Sequence, residues 1–218
     1  MADSTLTRLG SIAEQRWGMF TTPQAEAAGV ARKQLVRMST SGVIERLAQG
    51  VYRMGGAPPQ THESIYATWL ALGGATGPRT ESGVASLVAG GITAAVVHEI
   101  GDVFLDGLDF IVGSRKTTRL PDVRLRIRRL SPDDVIPVNG LPTLTVERTI
   151  VDLVELGTDT SLIADALRDA VRLGKIVSPT RLRSGLAALP VRQSSDAGML
   201  TETLNRLLSA TVEGPSHR

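Results

Sequence analysis

The sequence predicts an α+β protein: an N-terminal unit with the element order of a winged helix-turn-helix, then a mixed domain with a small antiparallel sheet and several helices. Three observations carry this reading. Apolar residues recur at helical spacing three times early in the chain and then give way to two short runs joined by Gln49-Gly50. Gly55-Gly56-Ala57-Pro58-Pro59 follows, a stretch in which neither a helix nor a central strand can continue. Beyond it, strand-like runs flanked by glycine and proline precede a long tract of helical text. The predicted division is therefore residues 1–56, residues 60–190, and a C-terminal helix with a frayed tail over 191–218.

In the first unit, Leu6, Leu9 and Ile12 or Ala13 predict a helix from about residue 4 to residue 16, capped by Asp3 or Ser4. Thr22-Pro23 marks the start of a second, a capping hydroxyl ahead of a proline, and Gly29 stops it. A third helix is predicted over Ala31 to Ser41, with Ala31, Leu35 and Met38 inward and Lys33, Arg37, Thr40 and Ser41 outward. Val43 to Met54 then reads as a hairpin carrying Arg46 and Arg53. In this arrangement the third helix enters a major groove and the hairpin touches the DNA backbone. Arg32, Lys33, Gln34, Arg37 and Thr40 are accordingly the predicted DNA-facing residues of the helix, and Arg46 and Arg53 those that hold phosphates. The opposing interpretation is that any helix needs a solvated face.

In the second domain, Thr61–Leu72 and Thr80–Ala89 read as helices. Val103-Phe104-Leu105 and Asp109-Phe110-Ile111-Val112 read as strands around an Asp106-Gly107 turn. Val123-Arg124-Leu125-Arg126-Ile127-Arg128 alternates strictly, so its three arginines share one face. That row either grips a polyanion or pairs internally with Asp102, Asp106 or Asp109. Arg115, Lys116 and Arg119, in the preceding loop, extend the same possible second basic surface. Thr145 predicts the cap of a helix reaching Leu156, in which Arg148 and Asp152 are one turn apart and are expected to pair. Three more helices are predicted, at about Leu162–Leu173, Pro179–Leu189 and Gly198–Leu208. The last bears a Leu200, Leu204, Leu207, Leu208 stripe directed to the core or to a partner.

Composition removes whole classes of function. With 24 Lys+Arg against 22 Asp+Glu the net charge is only +2, so any basic surface is local. The sign alternates along the chain: residues 1–60 carry 7 cations and 4 acids, residues 61–110 carry 1 and 6, and residues 111–130 carry 7 and 1. A hydrophobic fraction of 42% fills a core and excludes wholesale disorder. Without cysteine there is neither a disulfide framework nor a thiolate metal site. His98-Glu99-Ile100-Gly101-Asp102 opens like a zinc-protease motif but has Asp where the second histidine must bind, so no metal site is expected. Phosphate-binding glycine loops, a G-x-S-x-G elbow and an S-x-x-K pair are all missing from the sequence, and neither an enzyme nor a cofactor is expected. The N-terminus has an early acid and no signal-peptide core, and the longest uncharged stretches are too short to span a bilayer; a cytoplasmic protein without a membrane partner is expected.

Gly42-Val43-Ile44-Glu45-Arg46-Leu47-Ala48-Gln49-Gly50-Val51-Tyr52-Arg53, with Gly140-Leu141-Pro142-Thr143 and Glu147-Arg148-Thr149-Ile150-Val151-Asp152-Leu153, resembles the AbiEi family of antitoxins. The resemblance covers roughly residues 5–190. It implies a winged DNA-binding domain joined to an antitoxin domain, repression of the protein's own operon, and action against a nucleotidyltransferase toxin. The implied partners are double-stranded operator DNA and that cognate toxin. Leu144-Thr145-Val146 departs from the Thr-Ser-Pro usual in the family but keeps a capping hydroxyl. The acidic strand motif of nuclease-like relatives is missing from the sequence. Two other readings compete: a winged regulator whose second domain senses a metabolite, and an enzyme that uses the winged unit for targeting.

Overall fold

Leu9 and Ala13, one turn apart, are both buried, and they seat the first helix of the N-terminal unit. The computed structural model describes residues 2–77, 79–190 and 193–212. Its contacts divide the chain into two units, Met1–Pro78 and Arg79–Arg218.

Helix α1 (Ala2–Ala13) begins ahead of the predicted cap and ends in a 3-10 turn at Glu14–Arg16. Strand β1 (Met19–Thr21) leads into α2 (Thr22–Ala27). The capping hydroxyl is that of Thr21 rather than Thr22: Thr21 Oγ1 accepts from the Gln24 N–H at 3.4 Å, and Gln24 Oε1 accepts from the Thr21 N–H at 2.8 Å. Thr22 turns its hydroxyl to the Gly50 carbonyl, 3.3 Å away. Helix α3 (Arg32–Thr40) buries Leu35 completely, with Met38 packed beside it. Ala31, predicted to face inward, is exposed, because it is the extended N-cap and precedes the helical face.

β2 (Ile44–Ala48) and β3 (Val51–Met54) form the predicted hairpin, turning at Gly50 with φ +72°. β1 joins them in an antiparallel sheet of order β1-β3-β2, and Phe20 stacks on Tyr52 with ring centres 5.8 Å apart. Helix α4 (Glu63–Ala71), expected to open the second domain, belongs to the first unit. It packs against β1, β2 and β3, and its Tyr66 ring lies 4.8 Å from Trp17. By contacts the division thus falls after Pro78 rather than at the Gly-Pro stretch.

The second unit is built on five strands: β4 (Leu87–Ala89), β5 (Leu108–Val112), β6 (Val123–Ile127), β7 (Val135–Val138) and β8 (Leu141–Leu144). Their order is β6-β5-β4-β8-β7. β5 and β6 run parallel, as do β4 and β8, so the sheet is mixed where an antiparallel one was expected. Thr80–Ala89 is not helical. A turn through Gly83 is closed by the Val84 N–H donating to Thr80 Oγ1 at 3.1 Å, and β4 follows. All three β4 residues are buried, and a strand covered on both faces has no alternation to distinguish it from a buried helix. The strand expected at residues 103–105 is likewise missing, because β4 and β6 already occupy both sides of β5.

Among the described residues, five α-helices complete the unit: α5 (Gly91–Val97), α6 (Val146–Glu155), α7 (Thr160–Arg172), α8 (Pro179–Ala187) and α9 (Ser194–Val212). Ile150, Leu153, Ile163, Leu167, Leu182 and Leu186 pack together with Leu200 and Leu204 of α9. The leucine stripe of α9 therefore faces its own core, with Leu207 and Leu208 at the margin. Residues 213–218, where fraying is expected, lie outside the described residues.

Candidate nucleic-acid interface

The outward face of α3 is assembled by its own first turn. Ala31 has no capping side chain, and its N–H donates to Gln34 Oε1 at 3.0 Å. Gln34 is therefore committed through its oxygen to the helix end, which removes the paired donor and acceptor that a bidentate adenine contact uses. Arg32 Nε donates to Glu26 Oε1 of α2 at 2.8 Å, with both side chains well exposed. Lys33 and Arg37 are exposed, and neither forms an ion pair with any described residue. Thr40 is exposed too, its hydroxyl donating to the Val36 carbonyl at 3.0 Å.

On the hairpin the two arginines separate. Arg46 is exposed, with Nε 3.4 Å from the Ala48 carbonyl. Arg53 departs from its predicted role as a phosphate ligand, for its side chain is only 11% exposed and forks between Glu45 at 2.6 Å and Glu63 of α4 at 2.5 Å. Burial works against its charge, but the two carboxylates more than offset that and hold the guanidinium above its ordinary pKa. Its position is that of a brace between β2, β3 and α4.

The arginine row of β6 also divides. Arg124 is exposed, as are Arg115, Lys116 and Arg119 in the loop. Arg128 reaches Glu155 at 3.2 Å. Arg126 is internal: Nε lies 2.8 Å from Asp109 Oδ1, and the two terminal nitrogens lie 2.9 and 2.5 Å from the two oxygens of Asp152. Burial again opposes the Arg126 charge, and the bonds to Asp152 and then Asp109 override it, raising the pKa. For Asp109 burial wins and the carboxyl is pushed up, although Arg126 pulls the other way. Asp152 Oδ2 also accepts the Gly91 N–H at 2.8 Å.

The expected Arg148–Asp152 pair does not form. Asp152 is turned into the core and is taken by Arg126, while Arg148 reaches the next carboxylate along the helix, Glu155, at 3.2 Å. Glu147 is buried and accepts the N–H groups of Val177 and Ser178 at 2.7 Å each. His98 is buried at the end of α5 with Nε2 2.6 Å from the Leu144 carbonyl. Burial pushes its pKa down. Among the described residues no cluster of three or more His, Asp or Glu is suited to hold a metal, and no helix is long and apolar enough to cross a membrane.

The helix, the polar-faced third helix and the hairpin coincide with one stretch of sequence, residues 8–55, that matches the family model described as a transcriptional regulator, AbiEi antitoxin. Over this stretch the N-terminal unit is similar to that family. Among solved structures, the chain is similar to the RV2827C protein from Mycobacterium tuberculosis, with 17% sequence identity and a TM-score of 0.56. That alignment covers 99% of this chain and 83% of the other. At this identity the likeness is one of fold, and it spans both units of the chain. No curated protein matches.

Proposed function

We propose that the protein is an antitoxin that binds operator DNA through its AbiEi-type unit, represses its own operon and counteracts a nucleotidyltransferase toxin through its second unit. The observation that carries the DNA-binding half is the exposed, unneutralised pair Lys33 and Arg37 on the outer face of α3. These two residues, with Thr40, face the major groove, and Arg46 holds a phosphate. Arg32 joins them by exchanging Glu26 for a phosphate, and Gln34 contributes only its amide N–H. Arg53 serves the shape of the wing. In the second unit, Arg115, Lys116, Arg119 and Arg124 are the exposed cations offered to an acidic partner, whereas Arg126 is internal and Arg128 is paired with Glu155. The protein works in the cytoplasm by occupancy, without covalent chemistry or a cofactor.

Two measurements test this. Co-expression with a nucleotidyltransferase encoded beside the gene is expected to restore growth, and failure of the folded protein to do so removes the antitoxin half. The Arg37→Ala variant is expected to lose retardation of the upstream DNA while still rescuing growth; retention of full DNA binding removes the assignment of α3.

A further inference from the structure

Val36 stands 59% exposed in the middle of α3. It is a β-branched apolar residue, with below-average helix propensity, standing among the polar residues of that helix face. Lys33 precedes it by three positions, Arg37 is adjacent and Thr40 follows by four, so at about 100° per residue all four lie on the side away from buried Leu35. The neighbouring polar groups are partly spoken for: the Thr40 hydroxyl donates back to the Val36 carbonyl, and Gln34 Oε1 holds the Ala31 N–H.

Resting on the DNA-binding reading above, we infer that Val36 is a specificity residue that recognises thymine by packing its isopropyl group on the C5 methyl in the major groove. Apart from the small C5–H of cytosine, the base groups at that groove edge are hydrogen-bond donors or acceptors, which valine cannot satisfy and would strip of water; the thymine methyl is the large apolar group there. Lys33 and Arg37 flank this contact and supply the charge that holds the helix in place, while Val36 adds discrimination without adding charge. The operator should therefore carry a thymine at a fixed position within the half-site.

The test begins with duplexes selected by the full-length protein from a randomised pool, resynthesised with deoxyuridine, which lacks the C5 methyl, at each thymine in turn. One position is expected to weaken wild-type binding about fourfold, the worth of one buried methyl. Val36→Ala is expected to bind the thymine duplex more weakly by a similar factor and to be indifferent to deoxyuridine there. Val36→Thr, which keeps one methyl, should fall between them. Because the side chain is largely exposed and alanine is the better helix former, the urea midpoint of Val36→Ala should not fall below that of wild type, and that of Val36→Thr should lie close to it, confirming that the fold is intact. An enriched site whose affinity is unchanged by deoxyuridine at every position, or changed equally in wild type and Val36→Ala, overturns the thymine contact alone. Enrichment of no sequence at all overturns the DNA-binding reading, and this inference with it.

Discussion

Arg126 and Asp152 meet as two planar groups, with Nη1 2.9 Å from Oδ1 and Nη2 2.5 Å from Oδ2, so strand β6 and helix α6 are joined by a bidentate ion pair. The Asp152 side chain has no exposed surface and that of Arg126 only 13%. Asp109 of β5 and the Gly91 N–H of α5 close the same cluster, which therefore ties four elements together. The Asp152→Ala variant is expected to unfold at lower urea, with a loss of about 3–5 kcal/mol, because a buried guanidinium loses its main partner. A change under about 0.5 kcal/mol, the usual range for a surface site, would contradict the assignment of this pair as internal.

His98 sets a pH dependence of stability. Its burial lowers the folded-state pKa, despite a bond to the Leu144 carbonyl and the nearby Glu147, and Lys175 lowers it further. The unfolded chain then binds a proton that the folded chain refuses. Stability from this group is complete above the unfolded value, about pH 6.5, and is lost as pH falls from there toward the folded value. Urea unfolding of wild type should show stability rising with pH across that window, and His98→Gln should flatten the rise.

The two hairpin arginines should separate in a salt titration. Arg46→Ala is expected to reduce the slope of log affinity against log salt by about 0.9, the loss of one phosphate contact, without changing the preferred sequence. Arg53→Ala should leave the slope nearly unchanged and instead lower the thermal midpoint, since its partners are Glu45 and Glu63. Identical slope changes in both variants would return Arg53 to the DNA-contacting set.

Leu204 is fully buried where α9 packs on α7 and α8. Leu204→Ala should cost about 2–5 kcal/mol of stability through the cavity it leaves. An unperturbed unfolding curve would show that the stripe serves a partner instead of the core.

Local chemistry made much of this fold legible. Thr145 announces α6, where its hydroxyl accepts the Arg148 N–H three residues on, and the helix expected from Pro179 is α8, capped by Ser178. Leu35 betrays the inner face of α3, and Gly50 the turn of the hairpin. What escaped depends on distant residues. β4 is a central strand only because β5 and β8 flank it, and its buried Leu87-Val88-Ala89 carry no periodic signal. Helical spacing pairs Asp152 with Arg148, whereas its partner in the folded chain lies 26 residues away on another element. Of the proposed DNA-facing set, Lys33, Arg37 and Arg46 could be placed from spacing alone. The engagement of Arg32 by Glu26, of Gln34 by Ala31 and of Arg53 by Glu63 required the folded backbone.

Helix α4 alters where this molecule can be cut. Its carboxylate at Glu63 braces Arg53, and its Tyr66 leans on Trp17, so a fragment truncated at the Gly-Pro stretch would forfeit a wall of its own module. Anyone isolating the amino-terminal unit for binding work should carry the chain through Pro78; a shorter piece would be measured in a crippled form, and its weakness mistaken for a property of the α3 face.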